Sequence, residues 1–176
     1  DVLQSSPYSN EFVWVGVMPF FHAIGLTLNL MLSLYTRKEL VIFPNPRDVV
    51  SIMKEIQDSI KPVYLVGVPT LFNAMISEHE KKNYDLSSIK IVFSGGAALA
   101  QTVGDNLYKL LSKDAVILQG FGMTELSPLA TGFPPLKDIF KLTSVGMELA
   151  DTEINIVDID SGNTLPPNEI GEIIIK

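Results

Sequence analysis

The sequence has no cysteine and little histidine. Without cysteine among its 176 residues, the chain can hold no disulfide, no cysteine-ligated zinc and no thiol nucleophile. Its two histidines, His22 and His79, lie too far apart in sequence to form a familiar metal-ligand spacing. The absence of cysteine suits an intracellular protein.

Positive charge is also scarce. The chain has 13 basic against 20 acidic residues, a net charge of -7, and no run of lysine and arginine longer than two. Binding to a nucleic-acid backbone needs clustered cations, so nucleic acid is not an expected partner. A hydrophobic content of 47% with 19% charged residues predicts a packed globular protein of about one domain.

One long stretch, residues 12–36, has no charged side chain. Its length would allow it to cross a bilayer. Pro19, His22, Gly25 and Asn29 interrupt it, however, and no basic flank precedes it as in a signal peptide. We interpret it as a buried strand, a loop and a core helix, and we predict no transmembrane segment.

Apolar strand patterns alternate with helical patterns over the first 122 residues. The predicted strands are continuous rather than alternating apolar runs, which is typical of a parallel sheet covered on both faces. The sequence therefore predicts an α/β fold, a doubly wound, flavodoxin-like and mostly parallel sheet. The five runs are FVWVGVMP (12–19), ELVIFP (39–44), VYLVGVP (63–69), IKIVFSGG (89–96) and AVILQGFG (115–122).

The second predicted helix has a clear start signal. Asn45 is expected as its cap, Pro46 as its first residue and Asp48 in its first turn. Apolar residues including Ile52, Ile56 and Ile60 would then form one buried stripe. His79, in ISEHEKKN, is predicted to be a solvated residue at a helix end.

The pattern changes after residue 132. We divide the chain into an α/β unit with ligand-binding loops, 1–132, and a second part, 133–176. The second part contains an irregular connection (133–151), then the strands TEINIVDI (152–159) and GEIIIK (171–176) around the turn DSGN. They predict the start of a small antiparallel β region. Because the last strand runs to the end of the chain, we expect a piece excised from a larger protein.

Two glycine-bearing loops follow the fourth and fifth predicted strands: FSGGAAL (93–99) and QGFGMTEL (119–126). In a doubly wound sheet, ligands bind at the carboxyl ends of the strands. Gly95 and Gly96 allow close approach of the backbone to a flat ring or a phosphate. Phe121 offers a stacking face, Thr124 a hydroxyl, and Glu125 a carboxylate for Mg²⁺. This combination suits a nucleoside triphosphate with magnesium.

Structural alternatives exist for each of these residues. The glycine pair could form an ordinary turn, Phe121 could simply pack, and Thr124 with Glu125 could begin a helix. His22 follows the first strand and would lie at the same rim, either as a satisfied structural histidine or facing a ligand. The sequence leaves these alternatives open.

The motifs carry a resemblance. QGFGMTE is similar to the Y-G-x-T-E motif of the adenylate-forming superfamily, FSGGAAL to its adenine-binding G-G-A segment, and PFFHAIG to its P-x-F-H-x-x-G segment at the acyl pocket. The chain most resembles the long- or medium-chain fatty acyl-CoA ligases. The resemblance covers nearly all of the chain, which corresponds to about the middle third of such an enzyme.

The resemblance implies an ATP-dependent acid–thiol ligase that activates a carboxylate as an acyl-adenylate and transfers it to coenzyme A. It implies that Glu125 holds Mg²⁺, Thr124 contacts the α-phosphate and Phe121 stacks on adenine. His22 would lie where the carboxylate enters, as a catalytic residue with Thr124 and Glu125. Phe21 and Gly122 would shape the acyl tunnel. The implied ATP or AMP site comprises Gly95, Gly96, Ala97, Gln119, Gly120, Phe121, Gly122, Met123 and Thr124.

The implied partners are a fatty acid, ATP and coenzyme A, and a homodimer is left open. The implied location is cytoplasmic, with peripheral membrane attachment through the lipid substrate as an alternative. The chain departs from the family pattern at Phe121, where tyrosine is usual, and at Glu148 and Leu149, where proline is more usual. The phosphate loop, the ribose-binding motif and the catalytic lysine are not in this chain, which we therefore expect to be inactive alone.

Three other functions remain as alternatives. The first is an aryl or amino-acid activating enzyme of the same superfamily. The second is a flavodoxin-like nucleotide-binding module without catalysis. A structural or membrane protein comes last.

Overall fold

A computed structural model describes residues 11–133 and 143–176. Its centre is a five-stranded sheet in which every neighbouring pair of strands is parallel. The strand order is β2-β1-β3-β4-β5, which is the flavodoxin-like order. From β1 the chain adds β2 on one side and then β3, β4 and β5 on the other, so the topological switch point lies between β1 and β3. The predicted doubly wound α/β fold is confirmed. The strands are β1 (Val13–Gly16), β2 (Glu39–Ile42), β3 (Val63–Gly67), β4 (Ile89–Ser94) and β5 (Val116–Gln119).

Helices cover both faces of this sheet. On one face, α2 (Val49–Asp58), α3 (Pro69–Lys81) and α4 (Gln101–Leu110) enclose the larger core. On the other, a π-helix (Gly25–Met31) continues as α1 (Leu32–Thr36) and packs on a smaller apolar cluster that includes the rings of Phe12, Trp14 and Tyr64. Burial raises the pKa of the Tyr64 hydroxyl. No helix in the described ranges is long and apolar enough to cross a bilayer.

The π-helix contains an unusual buried polar residue. Asn29 is fully buried, and neither its side-chain nitrogen nor its oxygen has a hydrogen-bond partner among the described residues. A buried amide without a partner costs free energy, and π-helical turns are rare in proteins. The sequence analysis predicted a helix here but not its π geometry.

The start predicted for α2 is wrong by three residues. The helix begins at Val49, and its cap is Asp48, whose Oδ1 accepts the N–H of Ser51 at 3.1 Å. Asn45 instead closes the preceding turn, where its Oδ1 accepts the N–H of Arg47 at 3.1 Å. Since α2 ends at Asp58, Ile60 lies outside the buried stripe and is 98% exposed.

His79 lies at a helix end, as predicted, but it is not fully solvated. It is half-buried in the last turn of α3, and its Nδ1 accepts the N–H of Tyr84 at 3.4 Å. The imidazole therefore bonds to the segment that leaves α3 and is only partly in solvent.

Two small antiparallel pairs follow the sheet. Strand β6 (Thr131–Gly132) pairs with β7 (Met147–Glu148), and β8 (Ile154–Val157) pairs with β9 (Glu172–Ile175). The predicted antiparallel region is confirmed. The connection predicted for 133–151 lies partly outside the described residues, and the division of the chain at residue 132 stays a prediction.

The edge strand β5 is bonded by a side chain from α4. The N–H of Ile117 donates to the Tyr108 hydroxyl oxygen at 3.3 Å. Burial of this side chain raises the pKa of Tyr108. The phenol oxygen accepts this bond from the strand.

Candidate functional site

A cavity of about 270 Å³ opens at the carboxyl ends of β4 and β5. The structure brings the two glycine-bearing loops together there, as expected for neighbouring parallel strands. A third segment contributes Val145, which the sequence analysis did not single out. The lining residues are Gly96, Ala97, Ala98, Gln119, Gly120, Phe121, Gly122 and Val145.

The loop after β4 forms the first wall. The N–H of Gly95 donates to the carbonyl of Gly67 at 3.1 Å, so the hydrogen bonding of the sheet extends one residue beyond β4. Gly96 then turns into the left-handed region with φ +78°, a conformation that favours glycine. This turn leaves Gly96 and Ala97 exposed along the cavity.

Gln119 connects this wall to the next one. Its side chain is buried, and its Oε1 accepts the N–H of Leu99 at 3.1 Å. The bond joins the last residue of β5 to the end of the loop after β4. Gln119 was predicted to contact the nucleotide. In the structure its side-chain oxygen instead bonds to the loop after β4, which holds the two loops together.

The loop after β5 forms the second wall and crosses another stretch of backbone closely. A Cβ built on Gly122 would lie 1.8 Å from the carbonyl oxygen of Pro128, and one on Gly120 would lie 2.6 Å from that of Thr131. No side chain fits at either distance. Backbone packing therefore requires glycine on both sides of Phe121, which is itself half-buried.

Thr131 joins the second wall to the third. Its buried Oγ1 accepts the N–H of Phe121 at 2.9 Å and donates to the carbonyl of Val145 at 2.7 Å. The carbonyl of Phe121 accepts the N–H groups of Ala130 and Thr131 at 2.9 and 3.0 Å. The sequence analysis missed Thr131, since no motif relates positions 121, 131 and 145.

Thr124 and Glu125 are exposed next to this loop, in a single 3₁₀ turn (Thr124–Leu126). The two residues thus begin a short helical turn with Glu125 in its first turn, as the structural alternative expects, although no side chain caps that turn. Within the described ranges no three metal-ligating side chains cluster together, so Glu125 offers one carboxylate. One carboxylate fits Mg²⁺, which commonly binds one or two carboxylates together with water and phosphate oxygens.

Phe21 and His22 lie outside the cavity lining. His22 is exposed, and its Nδ1 accepts the N–H of Ile24 at 3.2 Å where the first helical segment begins. The Ile24 side chain reaches the first wall, 3.3 Å from a Cβ built on Gly95, so this loop shares the rim. Phe21 is 95% exposed and borders a separate, mainly apolar cavity of about 250 Å³ with Met18, Pro19, Ile42 and Pro44.

Sequence comparison relates this chain to named enzymes. It is 32% identical to a long-chain-fatty-acid–CoA ligase of Escherichia coli O6:H1 over 162 residues, which is 92% of this chain and 28% of that protein. It is also 32% identical to a probable 4-coumarate–CoA ligase 1 of Dictyostelium discoideum, over 99% of this chain and 31% of that protein. The chain thus spans about a third or less of these curated relatives.

The fold has similar solved structures. A long-chain-fatty-acid-CoA ligase from Archaeoglobus fulgidus superposes with a TM-score of 0.82 at 26% identity, covering 96% of this chain and 34% of that one. Residues 2–176 match the family described as AMP-binding enzyme. With nearly its whole length matched, the chain belongs to the AMP-binding enzyme family.

Proposed function

We propose that this chain is the central part of an ATP-dependent fatty acid–CoA ligase and supplies much of its nucleotide site. The observation that carries the proposal is the cavity between the loops after β4 and β5, bordered by exposed Gly96 and Ala97 on one side and by Phe121 on the other. A flat base between a glycine-bearing backbone and an aromatic ring is a favourable arrangement.

In this proposal the nucleotide lies along both walls. Gly95, Gly96 and Ala97 border the adenine, and the Phe121 ring stacks on it. Gln119, Gly120, Gly122 and Met123 hold the second wall, and Thr124 donates its hydroxyl to the α-phosphate. The exposure of Thr124 and Glu125 beside the cavity supports these roles.

The acid would approach from the loop after β1. His22 lies where the carboxylate enters, and Phe21 and Gly122 shape the acyl path. The apolar cavity beside Phe21 and the absence of any acidic side chain from residues 12–36 favour a fatty acid over an amino acid, because no carboxylate there could pair with a substrate ammonium.

The reaction joins the acid to AMP and then to a thiol. A carboxylate oxygen attacks the α-phosphorus of ATP, the bond to the β-phosphate oxygen breaks, and pyrophosphate leaves. The sulfur of coenzyme A then attacks the acyl carbonyl and AMP leaves. Because the carboxylate and the phosphates repel each other, the site must neutralise charge. Glu125 would hold Mg²⁺, which when bound offsets the negative charge of the phosphate oxygens.

The test is carboxylate-dependent ATP–pyrophosphate exchange by the complete protein, with acetate, octanoate and palmitate. We expect exchange to rise with chain length and to fall on the order of 100-fold in Glu125→Gln. The matched control is Glu80→Gln, which removes an exposed carboxylate of α3 and should leave exchange unchanged. No exchange with any acid, in a protein that folds and binds ATP, would favour the binding module without catalysis.

A second candidate is an aryl-acid ligase. The identity to the probable 4-coumarate–CoA ligase is as high as that to the fatty-acid enzyme. Adding benzoate and 4-coumarate to the same series separates the two, since faster exchange with the aromatic acids than with octanoate and palmitate would select the aryl enzyme.

A further inference from the structure

We propose that Thr131 is a positioning residue for the nucleotide site: its hydroxyl fixes Phe121 and Val145, which lie on two walls of the cavity. Thr131 is not among the residues that line the cavity, so it acts through its neighbours. The inference rests on the proposed function, because it assigns the cavity to ATP.

The Thr131 hydroxyl both accepts and donates a hydrogen bond. Oγ1 of Thr131 accepts from the N–H of Phe121 at 2.9 Å and donates to the carbonyl of Val145 at 2.7 Å. A hydroxyl has one proton to donate, and here that proton is used while the oxygen also accepts. One buried oxygen therefore ties together two main-chain groups that are 24 residues apart in sequence.

Phe121 is held through its main chain. Both main-chain polar groups of Phe121 are bonded to the segment at 130–131: its N–H to the Thr131 hydroxyl, and its carbonyl to two N–H groups of that segment. Glycines on either side of Phe121 would otherwise give this loop wide conformational freedom. Loss of the Thr131 hydroxyl would leave the N–H of Phe121, a residue that lines the cavity, without this hydrogen bond.

The cavity wall at Val145 is held next to a tight backbone contact. The next residue, Gly146, has φ +92° and packs directly on the carbonyl of Gly132. Strands β6 and β7 pair through Thr131 with Glu148 and Gly132 with Met147. The Thr131 hydroxyl thus holds the Val145 carbonyl just before the chain enters β7. In this proposal that bond sets the distance between the wall at Phe121 and the wall at Val145.

The test compares Thr131→Val with Thr131→Ser in the complete protein. Valine keeps the shape and removes the hydroxyl, whereas serine keeps the hydroxyl. For valine we expect a rise of about tenfold in the KM for ATP, equivalent to about 1.4 kcal/mol, with kcat changed less than about twofold, as for a loss of uniform binding. Thr131→Ser, which keeps the hydroxyl, should have the wild-type KM for ATP. Thr102→Val, at an exposed position of α4, is the control.

Amide hydrogen–deuterium exchange of Phe121 provides a readout that does not need turnover. The valine variant should exchange this amide faster than the wild-type and serine proteins. A lower melting temperature with an unchanged KM for ATP would overturn the proposal, as would an unchanged deuterium exchange rate. If the wild-type protein showed no pyrophosphate exchange, the proposed function would fail, and deuterium exchange would still decide whether Thr131 fixes Phe121.

Discussion

Replacing Gly122 with alanine should disable the candidate site while leaving most of the fold intact. The added Cβ would lie 1.8 Å from the Pro128 carbonyl oxygen and 2.7 Å from the Cα of Leu129, where real Cβ atoms keep at least 3.0 Å. Both obstacles are backbone atoms, so no side-chain rotation relieves the contact. The loop after β5 must move away from Pro128, and Thr124 and Glu125, which the proposed function places at the phosphates, must move with it as well as Phe121.

The size of the effect follows from these distances. Forced overpacking costs about 1–3 kcal/mol, and two backbone contacts place this change at the upper end. A displacement of about 1 Å in a group that positions substrate reduces turnover on the order of 100-fold. We therefore expect Gly122→Ala to lower the rate of ATP–pyrophosphate exchange by about that factor, with only a modest fall in melting temperature.

The assay is ATP–pyrophosphate exchange with palmitate at saturating ATP, together with thermal unfolding of the same preparation. The matched control is Gly132→Ala in β6, where an added Cβ would meet only Leu149 Cδ2 among the described residues, at an ordinary 3.6 Å. Equal rates in the two alanine variants would refute the reasoning, because they would mean that the crossing at Pro128 does not hold the loop.

Two predictions concern stability. Asn29→Leu should raise the free energy of unfolding by about 1 kcal/mol, and with it the melting temperature, because it removes a buried amide that has no partner among the described residues; a lower melting temperature would contradict this prediction. Hydrogen bonds from Ser51, side chain first and then backbone, hold the pKa of Asp48 below its usual 3.8. The stabilisation by this carboxylate is therefore complete above pH about 3.8 and is lost as pH falls through the lower folded-state value. In urea unfolding at several acidic pH values, the free energy of unfolding should depend less on pH for Asp48→Asn than for the wild type. An equal pH dependence in the two proteins would contradict the capping role.

The sheet could be predicted because each of its strands has a local signal in the sequence. Each is a short apolar run followed by a helical pattern, and such runs are typical of strands buried on both faces. The meeting of the loops at 95–97 and 119–122 also followed from the sequence, since parallel neighbours end at one rim. Proximity at that rim needed only the strand order, and no side-chain detail.

The start of α2 could not be fixed in the same way. Asn45 and Asp48 are both good capping residues, and Pro46 fits either a turn or a first helical turn. The choice depends on where the helix must begin to place Ile52 and Ile56 in the core. That is a tertiary requirement, and without it the local signal at Asn45 and Pro46 placed the start of the helix three residues too early.

Thr131 lay beyond the sequence analysis for a related reason. Its role exists only because the chain returns from β5 and places positions 121, 131 and 145 around one oxygen. The π-helix around Asn29 is similar, because nothing in an apolar helical pattern distinguishes π from α geometry. Local patterns predict elements, whereas contacts between loops require the folded chain.

Among the described residues β5 is the outermost strand of the sheet, and its bond with Tyr108 covers part of this open edge. The outermost strand of a sheet presents unpaired amide groups that can recruit a strand from another molecule, a common route to aggregation. At Ile117 the amide is already occupied by the Tyr108 hydroxyl, which a second chain would have to displace. The Tyr108 phenol on α4 thus covers one amide of the sheet edge next to the candidate site.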